Sequence, residues 1–472
     1  MEPGGHDRGM TSPTVLWFRR DLRIADHPAL LAAAADNADV LGVFVADDAV
    51  LQPSGAPRRA FLAGCLTELS ESLGGRLLVT HGRPDSVIPR LAAAIGAAAV
   101  HASADYGPYG ARRDQRVADA LRTKDIEFVT TGSAYAVAPG RVRKPDGTRY
   151  AVFTPYFRGW TDHGWRAPAG GGAVPRVSWI DPVDVGGPAR HDPAELGRAV
   201  PDSMRLPEPG ERAARRTWRQ FLDRAVDGYD DERDRPDHAG TSRMSPYLKW
   251  GCIHSRTLLA DLATRKSSGA AAYRRELAWR EFYADVVHHL PKSLWTSVDP
   301  VIDAMQWDEG DEADEQFTAW QQGRTGYPYI DAGMRQLLAE GWMHNRVRMG
   351  VASFLIKDLH LPWQWGAKYF MEHLVDGDYA SNNHGWQWVA GSGPQASPFF
   401  RIFNPLAQGE KFDPQGDYVR QYVSELRGID GKAVHRPWEL PDGVPAGYPE
   451  PIVEHSVERA ETLQRWESRP RN

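Results

Sequence analysis

The residues that could do chemistry crowd into one stretch, Gly341–Trp388 (GWMHNRVRMGVASFLIKDLHLPWQWGAKYFMEHLVDGDYASNNHGWQW). It sets Trp342, Trp363, Trp365, Trp386 and Trp388 among the paired carboxamides Asn382 and Asn383, the arginines Arg346 and Arg348, and the acids Asp376 and Asp378. Tryptophans are large and seldom fully buried, and a cluster broken by hydrogen-bonding groups suits a polar-lined aromatic pocket for a flat ligand. The same spacing also fits a tryptophan-rich helical core.

Other chemistries lack their residues. No serine or cysteine stands in a nucleophile elbow, and His288, His289 and His344 show no HExxH spacing. Asp376-Gly-Asp378 and the acidic run Asp308–Glu315 miss the later ligand positions of a calcium loop, so no metal is expected. That acidic run reads as a solvated loop before a helix. Cys65 and Cys252 are the only cysteines, far apart in the chain, which argues for a reducing compartment without a disulfide framework. The net charge of −6 does not advertise a nucleic-acid binder; only a local basic groove would serve. The opening MEPGGHDRGMTSP has no apolar signal core and no run approaches ~18 apolar residues, so a soluble cytoplasmic chain is expected.

Elements must position these residues, and the 472-residue chain has room for two or three domains. Thr14–Arg19, Val40–Asp47, Leu77–Gly82, Ala97–Ser103 and Ile126–Thr131 read as strands, separated by helix-like runs His27–Asn37, Pro57–Leu73, Pro84–Ile95 and Arg112–Lys124. Nearly all-apolar strands alternating with helices predict a doubly wound, Rossmann-like parallel sheet, with ligands at the carboxyl ends of its strands. No GxGxxG follows the first strand. FRRDLR stands there instead, so Arg19, Arg20 and Arg23 either bind an anion or cap and solvate the strand end.

Ala167–Gly210 is rich in proline and glycine and reads as a long linker. From Glu211 onward the strands vanish, and Arg212–Val226, Ser255–Arg265, Tyr273–His289, Tyr329–Glu340, His344–Leu359 and Trp363–Val375 carry helical patterns. Ten of the 17 tryptophans lie between Trp250 and Trp388, which assigns the aromatic chemistry to this helical half. The domains expected are 14–135 (α/β), 136–210 (linker) and 211–472 (all-α).

Seven motifs, in order, resemble the photolyase/cryptochrome family, and within it the class I cyclobutane pyrimidine dimer photolyases. They are WFRRDLR, GTSRMSPYLKWG (Gly240–Gly251), ELAWREFY (Glu276–Tyr283), GRTGYPYIDAGMRQL (Gly323–Leu337), GWMHNRVRM (Gly341–Met349), LVDGDYASNNHGWQW (Leu374–Trp388) and FRIFNPLAQGEKFD (Phe400–Asp413). The resemblance implies a monomeric enzyme holding FAD in its helical domain and acting on DNA that contains pyrimidine dimers, by light-driven electron donation from reduced flavin to a flipped-out lesion.

By the same resemblance Tyr229, Thr241, Ser242, Met244 and Ser245 match the FAD phosphate cradle, where hydroxyls and backbone N–H groups suit an anion. Arg280, Arg348, Asp376 and Asp378 match flavin-contacting positions, and Asn382 matches the carboxamide that accepts from flavin N5–H. Glu276 matches the carboxyl bonded to the dimer, which must be protonated to donate, as burial favours. Trp279 and Trp388 match the aromatic walls of the lesion pocket, with Asn345 and Met349 on one helix face. Arg346 and Arg401 match positions near the lesion phosphates. Trp386, Trp363 and Trp307 match an electron-transfer chain.

Lys249 and the DYGPYGARRD stretch that opens at Asp105 resemble members whose antenna is 8-hydroxy-5-deazaflavin rather than methenyltetrahydrofolate. A (6-4) photolyase would carry histidines at Asn345 and Met349. A cryptochrome, the other relative, signals without repair. His384 departs from the family's common glycine and either faces the flavin or points to solvent.

Overall fold

In the computed structural model the described residues are 12–395, 398, 399 and 401–469. The opening MEPGGHDRGMT and Phe400, first residue of the last motif, lie outside them. Strands β1 (Thr14–Phe18), β2 (Asp39–Ala46), β3 (Leu77–His81), β4 (Ala99–Ala104) and β5 (Glu127–Ser133) form a parallel sheet in the order β3-β2-β1-β4-β5. β1 is central, pairing Thr14 with Val40 on one side and with Ala99 on the other. Its residues are all buried because α1 (Pro28–Ala33), α2 (Asp48–Leu51), α3 (Ala56–Ser72), α4 (Pro84–Ala94) and α5 (Pro108–Arg122) cover the sheet. Separate apolar clusters form on the two faces, one around Leu16 and Phe44, the other around Val15 and Val43. This is the doubly wound half that the strand and helix pattern predicts.

Two boundaries differ for local reasons. α1 stops at Ala33 instead of Asn37, because Asp36 takes φ 56 and breaks the ladder. α5 starts at Pro108, four residues before the expected start, since proline tolerates the first helical position after Gly107.

The connecting stretch is more than a tether. It carries α6 (Phe153–His163), whose Phe153, Tyr156 and Trp160 are buried, and the short strand β6 (Ser178–Trp179), which pairs with the start of β2. One apolar cluster runs without a break from Leu16 of the sheet through Phe153 and Trp160 to Leu277 and Phe282 of the helical half. Glu281 accepts from Val137 N (3.0 Å) and Trp160 Nε1 (2.7 Å), and Asp285 accepts from Gly140 N (2.7 Å), so buried carboxylates satisfy the backbone where the halves meet.

The helical half comprises α7 (Glu211–Arg224), α8 (Tyr229–Glu232), α9 (Ser245–Trp250), α10 (Ser255–Ala263), α11 (Ser268–His289), α12 (Asp311–Gln322), α13 (Pro328–Glu340), α14 (Asn345–Lys357), α15 (Trp363–His373), α16 (Tyr379–Ala390), α17 (Pro405–Phe412), α18 (Asp417–Tyr422) and α19 (His455–Ser468). α11 begins five residues before the expected Tyr273 because Ser267 caps it, accepting from Ala270 N at 3.2 Å. Only residues 308–310 of the acidic run form the loop expected before a helix; Asp311, Glu312 and Asp314 already form the first turn of α12, where negative charge meets the positive helix end. Cys65 of α3 and Cys252 after α9 lie 187 residues apart, yet their thiols touch at 3.5 Å in the core, unbonded. Among the described residues no helix is long and apolar enough to cross a membrane.

Candidate functional site

The turn Leu374–Asp378, between α15 and α16, is the floor on which the polar groups converge. The α/β half reaches over to hold it. Arg58 of α3 donates Nη1 to Leu374 O (3.1 Å), and a Cβ on Gly377 would fall 2.2 Å from that nitrogen. Arg20, at the end of β1, donates Nη2 to Asp378 Oδ2 (2.7 Å) and Nε to Lys249 O (3.2 Å). Arg20 therefore ties the domains together instead of solvating the strand end.

Burial opposes ionisation of Asp378, but Arg20, Lys249 and Arg280 outweigh it and hold the carboxyl well below its usual range. Burial and then the Arg20 charge push the Lys249 ammonium down to about 7, although Asp378 lies 3.7 Å away.

Asp376 is the partner of two elements. Its Oδ2 accepts from Arg348 Nη2 (2.8 Å) on α14 and from Ser245 Oγ (2.6 Å) at the head of α9. Its Oδ1 is buried and has no partner. A buried, unsatisfied carboxylate oxygen is costly, so the site fits a ligand that brings a hydroxyl or N–H. The surrounding cradle has the same character. Ser242 Oγ bonds Tyr273 O–H (2.8 Å) and accepts from Met244 N (3.3 Å). Trp342 Nε1 donates to Ser245 Oγ (3.2 Å). Tyr229 packs edge-on against Tyr273, and Thr241 is half-buried at the start of this turn. Arg280 spans from α11 to Ala134 O (3.0 Å) and Leu248 O (3.1 Å) with its guanidinium over Tyr135.

On α16, Asn382 spends Nδ2 on Ala367 O (3.0 Å) and Asn383 Oδ1 (2.9 Å), which leaves its Oδ1 as the unengaged end. The amide is thereby fixed as an acceptor toward whatever lies beyond it. His384 does not point to solvent. It is fully buried and stacked on Tyr283, with Nε2 2.9 Å from Ser293 Oγ and Nδ1 2.7 Å from Ala380 O, and burial lowers its pKa to about 4.

A second group of predicted residues gathers around α11 and α14. Glu276 Oε1 accepts from Arg233 Nη1 (2.6 Å), and burial raises the carboxyl while that guanidinium opposes it. Trp279 lies flat on Phe153 of α6, with ring centroids 3.6 Å apart and planes 7° from parallel. Asn345 is exposed at the head of α14, with Met349 one turn further on. Arg346 pairs with Asp234 (2.5 Å), lies over Phe412 and brings a nitrogen within 3.9 Å of Met349 Sδ. Trp388 packs against the second core, and Arg401 is exposed beside Phe403. Sequence reasoning passed over Arg233, Asp234 and Phe153. The dense charge of YDDERDRPDH was the available signal for the first two; nothing marked Phe153.

Trp386 and Trp363 are buried in the second core and Trp307 packs on its edge. Trp363 Nε1 donates to Ser297 Oγ (3.1 Å). Asp105, by contrast, stands at the crevice between β1 and β4, where the strand order reverses. Burial there works against its charge, but Arg113, Arg19 and Arg20 keep it below its usual range. Arg19 itself is committed to Asp114 (2.5 Å), and Arg23 to Gly251 O (3.0 Å). No group of three or more candidate ligands could hold a metal among the described residues.

An α/β half and a helical half meet at the turn Leu374–Asp378, where polar and aromatic side chains of α9, α11, α14 and α16 converge. Residues 14–172 match the family model for DNA photolyase and residues 273–468 the model for the FAD-binding domain of DNA photolyase. A deoxyribodipyrimidine photo-lyase of Streptomyces griseus is 41% identical across 95% of this chain and 98% of its own. The crystal structure of a bacterial class III photolyase from Agrobacterium tumefaciens superposes with a TM-score of 0.87 at 36% identity, covering 97% of this chain and 98% of that one. An archaeal photolyase from Sulfolobus tokodaii, solved with two FAD molecules, gives 0.82 at 29% identity, covering 96% and 99%. The chain belongs to the DNA photolyase family.

Proposed function

We propose that this enzyme binds FAD in its helical domain and uses light to split cyclobutane pyrimidine dimers flipped out of DNA. When bound, reduced FAD supplies the photoexcited electron that opens the cyclobutane ring. The phosphate cradle would come from Tyr229, Thr241, Ser242, Met244 and Ser245. Asp376, Asp378, Arg280, Arg348 and Asn382 would hold the flavin and its chain, the orphaned Asp376 oxygen taking a donor from it.

The chain's own residues prepare the lesion. Two guanidinium–carboxylate pairs, Arg233–Glu276 and Arg346–Asp234, stand at the pocket before DNA arrives. Phosphates of an incoming strand offer both arginines another anion. Glu276, losing its counter-charge and already raised by burial, then takes up the proton it must donate to the dimer carbonyl. Trp279, backed by Phe153, and Trp388 hold the flipped bases by stacking. Trp307, Trp363 and Trp386 would carry electrons inward when the flavin arrives oxidised.

One observation carries the choice of lesion: the exposed head of α14 offers Asn345 and Met349, not histidines. The adjacent His344 is buried, caps α14 by accepting from Arg346 N (3.2 Å), and is pushed by burial down to about 4, so it is not an imidazolium acid at neutral pH. That argues against the (6-4) reading, and the full set of proposed lesion residues argues against a cryptochrome without repair.

The cluster of Lys249, Arg20 and Asp105 at the domain join supports an 8-hydroxy-5-deazaflavin antenna rather than methenyltetrahydrofolate, since an acidic chromophore hydroxyl would meet a cation there. The domain limits 14–135, 136–210 and 211–472, a monomeric state and a cytoplasmic location complete the proposal. The test is an absorption spectrum of the purified protein, then blue light on a dimer-containing oligothymidine under reducing conditions. Regain of thymine absorbance is the expected outcome. Bound flavin without regain would move the reading to a cryptochrome or (6-4) enzyme.

A further inference from the structure

α14 presents Asn345, Arg346 and Met349 at its head, and at its tail it buries a cation. Lys357 is fully buried, and its Nζ donates to two backbone carbonyls, Phe399 O (2.9 Å) and Arg401 O (3.0 Å). One turn earlier, the buried Ser353 Oγ accepts from Phe403 N (3.2 Å). The strip Pro398–Phe403 otherwise has one backbone bond among the described residues, Arg401 N to Pro398 O (2.9 Å). Among its described residues no ladder or helix fixes its course; the buried Phe399, stacked on Trp466, and the buried Phe403 anchor it together with the Lys357 and Ser353 bonds to its backbone. Arg401 is exposed in that strip beside Phe403, and among the described residues no carboxylate pairs with it.

We propose that Lys357 is a positioning residue for DNA recognition: from inside the second core it holds the carbonyls of Phe399 and Arg401 and thereby sets where the Arg401 guanidinium meets a phosphate. Burial lowers the Lys357 ammonium to about 7, so the charged and neutral forms coexist near neutral pH. The amine still has hydrogens for both carbonyls when neutral, which is what this role needs. A lysine with no route to solvent cannot itself touch DNA. It acts through the strip, and the inference rests on the phosphate role given to Arg401 above.

The experiment measures affinity for a dimer-containing duplex against salt concentration for Lys357→Met, Arg401→Ala and the double variant, all loaded with FAD. Arg401→Ala is expected to lower the slope of log K against log salt by about 0.9, the share of one phosphate contact. Lys357→Met should produce most of that same drop, weaken binding about tenfold, and add almost nothing in the double variant, because both act on one contact. An unchanged slope in Lys357→Met beside a lowered slope in Arg401→Ala, or full additivity, would overturn the inference alone. An unchanged slope in Arg401→Ala would overturn the phosphate role and the inference with it. Should Lys357→Met fail to fold, Ser353→Ala tests the same clamp: a lowered slope supports it and an unchanged one overturns it.

Discussion

Arg233 donates Nη1 to Glu276 Oε1 across 2.6 Å, so the carboxyl proposed to carry a proton for repair is, in the DNA-free chain, half of an ion pair. Both side chains keep 36% exposure, so water reaches the pair and lets it exchange partners, while the groups packed around Glu276 still raise its carboxyl. Glu276→Ala should leave FAD bound and slow repair by about tenfold or more, the worth of one charge-assisted hydrogen bond (~1.5–3 kcal/mol). Flavin absorbance and single-turnover repair separate these effects. Loss of FAD would show that Glu276 belongs to the cofactor site instead.

Trp307 packs on the edge of the core that contains Trp363 and Trp386. Trp307→Phe should impair photoreduction of oxidised flavin and spare repair by enzyme reduced beforehand. Illumination with and without prior chemical reduction distinguishes the two activities; equal loss of both would count against a separate electron chain.

Gly366 lets α15 lie directly against the Trp386 indole, since a Cβ there would fall 2.0 Å from Cη2. Alanine would gain helix propensity of at most about 1 kcal/mol, but the ring is buried and has little room to retreat. Gly366→Ala should therefore cost ~1–3 kcal/mol in urea unfolding and disturb photoreduction more than DNA binding.

His384 is held neutral by burial, its pKa lowered from 6.5 to about 4. A folded-state pKa below the unfolded value means that the unfolded chain takes up the proton first as pH falls. Its contribution to stability is present above about pH 6.5 and is lost between there and about pH 4, by up to ~1.4 kcal/mol per pH unit. Unfolding measured from pH 7 to pH 4 should show that slope, and His384→Gln should flatten it by one proton. An identical slope in the variant would mean that His384 is already charged in the folded protein.

The local patterns of this chain carried far. Strings such as TVLWF and DVLGVFVA are apolar on both faces and have room only inside a covered parallel sheet, so the α/β half was legible before any coordinates. Helical periodicity located the second half, and the motif residues, read with the family resemblance, pointed to the cofactor and the lesion. Errors fell where a local signal is ambiguous: acids open a helix as readily as they solvate a loop, and a proline can begin a helix as well as end one.

What the tertiary structure decided is pairing. Arg20 was visible as a candidate anion ligand, but its partner Asp378 lies 358 residues away in the other domain. Cys65 and Cys252 looked remote and are in contact. Arg233, Phe153 and Lys357 resembled ordinary surface or core residues until Glu276, Trp279 and the carbonyls of 399 and 401 came within reach. The physical reason is common to all of them. Periodicity and propensity are set by neighbours within a few residues, whereas hydrogen bonds and ion pairs depend on distance in space, which only the packed chain defines.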